Sequence, residues 1–350
     1  MSRDPVRPLA AAASEDGPEP HEGPVPCLHG MPLAGGPGGP AARWLDGRAT
    51  PLPAVGDAEG PRLPSSLPPV IDAHVHLFPE RVFAAIWRWF GQHGWPIRYP
   101  LPTPQVIDFL LSRGVERVVA LHYSHAPGMA RELNRYVAGI CAEHPRVTGL
   151  ATVLPGEPEA LEVLREAHAL GLAGVKLHCH VQRFSPDAPE LEPLYAFCSE
   201  KRWPMVMHAG REPSSRAYPV DPYALCNVTR TERVLRAFPD LQLCVPHLGA
   251  DEFEGYGRLL ERHDGLWLDT TMTLASYFPV EPPRRLFEVR PERILYGTDF
   301  PNIPYAWDRE LKGLLALRLP EDTLHRVLGA NARALYGLPP AAGADLTSDA

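Results

Sequence analysis

The sequence predicts an α/β protein of the (β/α)8 TIM-barrel type, preceded by a disordered N-terminal extension. Three observations predict it. From Val70 onward, eight short runs of β-branched and aliphatic residues alternate with longer segments of helical period, the pattern of repeated βα units around a parallel sheet. The alternating region is about 270 residues long, the usual size of an eightfold barrel. No GxGxxG follows the first strand, where an open nucleotide-binding sheet would need its phosphate turn.

Taken in order, strands are expected at 70–76 (VIDAHVH), 115–123 (VERVVALHY), 147–154 (VTGLATVL), 173–180 (AGVKLHCH), 204–210 (PMVMHAG), 241–249 (LQLCVPHLG), 266–271 (LWLDTT) and 294–301 (ILYGTDFP). Helices are expected between them at 80–91, 104–112, 128–143, 157–170, 190–201, 229–237, 251–263, 283–288 and 306–316, with a last one over 321–336. Ahead of them, residues 1–69 hold 15 of the chain's 42 prolines and 10 of its 29 glycines. Such a stretch cannot bury enough apolar surface to order itself. The expected division is therefore a leader over 1–69, a barrel over 70–338 and a short tail over 339–350.

A net charge of -8 and a pI near 6.0 leave no basic footprint for nucleic acid or an anionic membrane. There is no apolar run long enough to span a bilayer, and MSRDPVRPLAAAASEDGPEP lacks the apolar centre of a secretory signal. Six cysteines are scattered with no CxxC pair. A reduced, cytoplasmic protein is the simplest expectation.

In such a barrel alternate side chains point inward, and the C-terminal strand ends carry the chemistry. Period two puts Asp72, His74 and His76 on one face of the first strand, Lys176, His178 and His180 on one face of the fourth, and Val206 with His208 on the fifth. The second strand adds His122, the sixth ends at His247, and the eighth aims Leu295, Gly297 and Asp299 one way. Two imidazoles two residues apart in a strand can grip one ion the size of zinc. A third imidazole, His208, and a carboxylate, Asp299, would complete the set.

VIDAHVH, VMHAG, VPHLG and YGTDFP, in this order on strands one, five, six and eight, resemble the amidohydrolase superfamily. More narrowly they are similar to the amidohydrolase-2 branch, which groups aminocarboxymuconate-semialdehyde decarboxylase-like enzymes with metal-dependent hydrolases. The resemblance covers residues 70 to about 338, including the closing NARALYGL. It implies the metallo-dependent hydrolase type of barrel, one divalent metal ion, commonly zinc, bound at His74, His76, His208 and Asp299, and His247 beside the bound water. It also implies frequent pairing of subunits, so a homodimer is the assembly to test.

The expected reaction is hydrolysis of a small cyclic amide, lactone or related carbonyl compound by metal-activated water, with Asp299 as general base and then acid and His247 polarising the carbonyl. A non-oxidative decarboxylase acting on an unsaturated or aromatic acid is the first alternative. A barrel without catalysis, used as a binding module, is the second. Lys176 raises the question of a carboxylated lysine bridging two metals, so Lys176, His178 and His180 are candidates for a second metal or for substrate. Arg211 and Arg183, on loops after strands five and four, are candidates for an anionic substrate. The segment IWRWFGQHGW (86–95) is expected either as a lid or as an amphipathic helix packed on the barrel.

Overall fold

The computed structural model describes residues 56–212, 215, 217–277 and 282–341. The disorder expected of the leader up to residue 55, and nearly all of the expected tail, fall outside the described residues. Residues 56–69, grouped with the leader by composition, lie against the barrel. Leu63 N–H donates to the Arg113 carbonyl at 2.8 Å, Gly60 N–H to Asp308 at 2.8 Å, and the Trp307 indole to the Gly60 carbonyl at 3.0 Å.

The eight strands are β1 (Ile71–His76), β2 (Arg117–Leu121), β3 (Val147–Gly149), β4 (Val175–His178), β5 (Met205–His208), β6 (Leu243–Val245), β7 (Leu266–Asp269) and β8 (Ile294–Leu295). They pair in parallel as β1-β2-β3 and as β4 through β8. Single bridges join the two groups at both seams, Ala151 with Val175 and Val75 with Phe300. The sheet thus closes on itself, as expected. All but β1 end earlier than their apolar runs. Alternation reports where side chains point, and the last residues of each run keep pointing after leaving the ladder to form the mouth.

The helices are α1 (Glu80–His93), α2 (Thr103–Ser112), α3 (Ala130–Glu143), α4 (Ala160–Ala169), α5 (Cys179–Gln182), α6 (Glu192–Lys201), α7 (Pro222–Leu225), α8 (Val228–Ala237), α9 (Phe253–Arg262), α10 (Leu286–Val289), α11 (Arg309–Ala316), α12 (Glu321–His325) and α13 (Asn331–Tyr336). Each carries an apolar stripe toward the sheet where it is long enough to have one: α8 buries Thr231, Val234 and Leu235, and is capped by Asn227 accepting from Arg230 N–H at 2.9 Å. The four-residue α5 and α7 were not expected. Helices that short have no periodicity to read. The single helix expected over 321–336 is two, α12 and α13, separated by a π turn at Arg326–Ala330.

Two packed layers divide the core. Val75, Val118, Val175, Met205 and Leu243 face the helices, while Ile71, Ala73, Val119, Leu121, Leu150, Val206, Cys244, Trp267 and Leu295 fill the barrel, floored by Leu335 and Tyr336 of α13. The face expected for β1 needs correction. A register shift between Asp72 and Val75 places Ile71 and Ala73 inside, whereas simple alternation put them opposite His74. Asp72 instead accepts from Thr298 N–H at 3.1 Å and from its hydroxyl at 2.5 Å. A bulge of this kind re-aims the residues beyond it. His74 and His76 therefore reach the mouth by a local irregularity that period two does not contain.

Gly297 sits two residues past β8, against His74 of this bulge. A Cβ there would lie 2.5 Å from Thr271 Oγ1 and 2.7 Å from His74 Cβ. Gly297→Ala should cost about 1–3 kcal/mol through overpacking, read as a lower midpoint in denaturant unfolding. An unchanged midpoint would show that the two strands have room to part.

Candidate metal centre and active site

His74 and His76 rise from the end of β1, and Asp299 returns over them from the segment after β8. Asp299 adopts a left-handed backbone, φ 70°, and its N–H donates to the His74 carbonyl at 2.9 Å. That turn brings its Oδ1 to 2.9 Å from His76 Nε2 and 3.3 Å from His74 Nε2. All three side chains are buried, and their ligand atoms lie within 4.8 Å of one another.

The protons on these rings follow from their partners. His74 Nδ1 lies 2.9 Å from Asp269 Oδ2, an acceptor, so Nδ1 carries the hydrogen and Nε2 is a lone pair, with Lys176 Nζ 3.5 Å away as its donor. Burial, with Lys176 close by, lowers the His74 pKa to about 4, which keeps the ring neutral. Burial raises Asp269, but the pairing with His74, which becomes a charged pair once the ring protonates, outweighs it and holds the carboxyl at about 2. Asp299 is likewise raised by burial and pulled below the usual range by His76, His74 and His247. Two acceptors, a ring nitrogen and a carboxylate oxygen, thus face each other 3.3 Å apart with the Lys176 amine 3.5 Å from the nitrogen. Such a pair needs positive charge beside it, which Lys176 supplies in part and a bound metal ion would complete.

A second chain of hydrogen bonds prepares His208 in the same way. The Thr271 carbonyl, 2.9 Å from His247 Nδ1, can only accept. His247 Nε2 is then the acceptor, and it lies 3.1 Å from His208 Nδ1, which must donate. His208 Nε2 is left as a lone pair, buried and without a hydrogen-bond partner. Asp269 ties the two chains together, since its other oxygen accepts from His247 N–H at 3.2 Å. Both ring nitrogens of His247, the residue expected beside the substrate carbonyl, are engaged.

By distance His208 belongs to a second group, not to that of His74, His76 and Asp299. Its ligand atom lies within 4.8 Å of those of His178 and His180, and its ring stacks on His178 with centroids 4.1 Å apart and planes 8° apart. His180 does not stand on β4 as expected. The strand ends at His178, whose N–H donates to Gln182 at 2.8 Å, and the chain coils into α5. His180 still faces the site, with Nε2 at 2.9 Å from the Gly210 carbonyl. Lys176 points inward as expected, its Nζ 3.5 Å from His74 Nε2, and burial lowers its pKa to about 8.

These residues open onto one cavity of about 650 Å³, large enough for a small cyclic substrate. One wall is the face of α1 that carries Ile86, Trp89 and Phe90, so the aromatic segment is a helix packed on the barrel and also a side of the cavity. Arg183 lines the mouth; Arg211 does not. Arg211 Nε is 2.7 Å from Asp251 and 3.5 Å from Glu252, and its guanidinium covers the Tyr223 ring at 4.8 Å. The loop after β5 turns toward α9 there, and the expectation that Arg211 meets substrate is corrected accordingly. His122 is also elsewhere, buried with Nε2 at 3.0 Å from Asn134. Sequence reasoning passed over Asp269 and Thr271. The signal was present: LWLD ends in a carboxylate two residues past Trp267, on the face of β7 that turns into the barrel.

The sequence matches the amidohydrolase family model over residues 71–338. The chain belongs to the amidohydrolase family. Members are enzymes, hydrolases or decarboxylases, which removes the binding-module alternative. No curated protein matches the chain. Among solved structures, this amidohydrolase is similar to the uncharacterized TIM-barrel protein Bb4693 from Bordetella bronchiseptica, at 22% identity, 77% of this chain, 98% of that one and a TM-score of 0.59. The 5-carboxyvanillate decarboxylase from Novosphingobium aromaticivorans, complexed with manganese and 4-hydroxy-3-methoxy-5-nitrobenzoic acid, matches at 17% identity, 80% and 99% coverage and a TM-score of 0.56. A probable 2-pyrone-4,6-dicarboxylic acid hydrolase from Acinetobacter baumannii, with citric acid bound, matches at 14% identity, 77% and 100% coverage and a TM-score of 0.54. At these identities the likeness is one of fold. Among the described residues no helix is long and apolar enough to cross a membrane.

Asp269→Asn tests the proton assignment in this amidohydrolase. An amide at that position can no longer enforce the His74 tautomer, and divalent-metal affinity should fall about 10–100-fold in a competition titration against a chelator. Unchanged affinity would mean that His74 needs no such partner.

Proposed function

We propose that this amidohydrolase is a metal-dependent hydrolase that opens a small cyclic amide, lactone or related carbonyl compound, with His74, His76, His208 and Asp299 holding one divalent cation. The single observation that carries this reading is the confrontation of His74 Nε2 and Asp299 Oδ1 at 3.3 Å, two buried acceptors facing each other. The bare Nε2 of His208 is the further donor that would reach toward them. Three imidazoles and one carboxylate suit zinc by ligand type. When bound, the cation supplies a Lewis acid and a water acidic enough to ionise near neutral pH.

The protein's own groups do the rest. Asp299, ionised at working pH, takes the proton of the attacking water and returns it to the leaving group. His247 positions His208 through the Thr271 carbonyl and so acts on the reaction from one residue away. Lys176, His178 and His180 face the cavity and are read as substrate-binding groups. Five free cysteines among the described residues accord with a reducing compartment, the cytoplasm.

Decarboxylation is the second reading, and a specific observation favours it. The described residues lining the cavity include Arg81, Lys176 and Arg183 against the single carboxylate of Asp299, an environment that attracts acids. Turnover of lactones, cyclic amides and aromatic carboxylates by the metal-loaded enzyme separates the two. Hydrolysis should yield a ring-opened acid carrying oxygen from labelled water and no carbon dioxide. Carbon dioxide release without label uptake would overturn the hydrolase reading in favour of the lyase.

A further inference from the structure

We propose that the side-chain amide of Asn302 is a specificity-determining donor: its two N–H groups grip an uncharged oxygen, carbonyl or hydroxyl, that the substrate carries beside its reacting carbonyl. This rests on the reading of the cavity as the substrate site and narrows the compounds it takes.

The first support is the direction of the amide. Asn302 is buried and lines the cavity. The side-chain atom that meets Trp87 Nε1, 3.1 Å away, must be the oxygen, because an indole nitrogen can only donate. The nitrogen, Nδ2, therefore points the other way. Trp87 is itself held, its ring stacked on Phe83 with centroids 4.8 Å apart and planes 14° apart. An amide fixed by such a partner cannot exchange its two ends without losing a buried hydrogen bond.

The second support is that the fold uses every polar group of Asn302 except this one. Its N–H donates to the Asp299 carbonyl at 2.9 Å, and its own carbonyl accepts from the Trp95 indole at 2.7 Å. With Oδ1 taken by Trp87, these bonds tie the segment after β8 to α1 and to the chain that follows α1. None of them needs a side-chain nitrogen. An aspartate would serve Trp87 equally well, whereas Nδ2 donates to no described residue. Two donors held in a buried residue cost free energy until an acceptor reaches them.

The surroundings choose that acceptor. Asn302 hangs on the same short turn as Asp299, and the α1 side of the cavity presents the apolar faces of Ile86 and Phe90. A second carboxylate set here would face the charge of Asp299 in a poorly solvated place. An uncharged oxygen meets no such repulsion. Donors built for one atom also discriminate sharply, because an analogue lacking the oxygen leaves them unpaired.

The test compares glutarimide with 2-piperidone, rings that differ by one carbonyl oxygen, on the metal-loaded protein. Binding is read by stopped-flow tryptophan fluorescence before turnover, with metal content and ring opening measured on the same samples. The unmodified protein should bind glutarimide more tightly by about tenfold or more. Asn302→Asp keeps an oxygen for Trp87 and loses both donors, so it should erase that preference; Asn302→Leu should erase it too, with a lower melting temperature. Trp87→Phe frees the amide to turn and should reduce the preference with Asn302 still present. Equal binding of the two rings by the unmodified protein, or an undiminished preference in metal-replete Asn302→Asp, would overturn the donor and leave the hydrolase reading standing. A preference that vanishes in Asn302→Asp, in a protein that opens neither ring, would strike the hydrolase reading and leave the donor in place.

Discussion

Replacing Asp299 by asparagine should lower turnover by about 10²–10⁴-fold, the range that positioned proton transfer contributes. Asparagine nearly preserves size, and its amide oxygen can still accept from His76, 2.9 Å away in the native protein. What disappears is the negative charge and the capacity to take up a proton. Asp299 is also the one carboxylate in the cavity lining among the described residues, so no neighbour replaces it. Steady-state rates on metal-replete protein check this. A variant that retains more than a tenth of native turnover would remove Asp299 from the proton path.

Stripping the metal should abolish turnover and also loosen the fold. A ligand that binds only the native state stabilises it by about 2.7 kcal/mol at a free concentration one hundred times its Kd. Chelation should therefore lower the denaturant midpoint of the native protein. His208→Ala should lose both metal and turnover and should show a much smaller chelation effect, because its native Nε2 is the buried lone pair without another partner. The loss is expected even though His208 lies on β5, outside the bulged strand that carries the other two imidazoles. A midpoint indifferent to chelation in the native protein would mean that no cation is part of the folded state.

The barrel was legible because eight runs of apolar residues at regular intervals leave little choice of architecture. The inward parity of Lys176, His208 and Asp299 followed from counting by twos, and the structure keeps it. The same counting failed on β1, where a register shift turns Asp72 to Thr298 and Ala73 into the barrel. A bulge costs one residue of register and leaves no mark in composition. His180 was misplaced because a strand end and a four-residue coil look alike at that length. Arg211 was misassigned for another reason: its partners Asp251 and Glu252 lie about forty residues on, and only the parallel pairing of β5 with β6 brings the loops after them together. Asp269 shows the reverse case, a residue with the right type and parity whose role emerges only from the imidazole 2.9 Å away.

By distance His208 groups with His178 and His180, whereas the proposed metal site unites it with the separate group of His74, His76 and Asp299. Anomalous scattering at the metal's absorption edge, from crystals of the protein loaded with one equivalent of zinc, distinguishes them. The lone pairs of His74 Nε2 and His208 Nε2 predict a single peak within bonding distance of His74, His76, His208 and Asp299. A peak seated on His178, His180 and His208, with the first-strand imidazoles unliganded, would contradict the account.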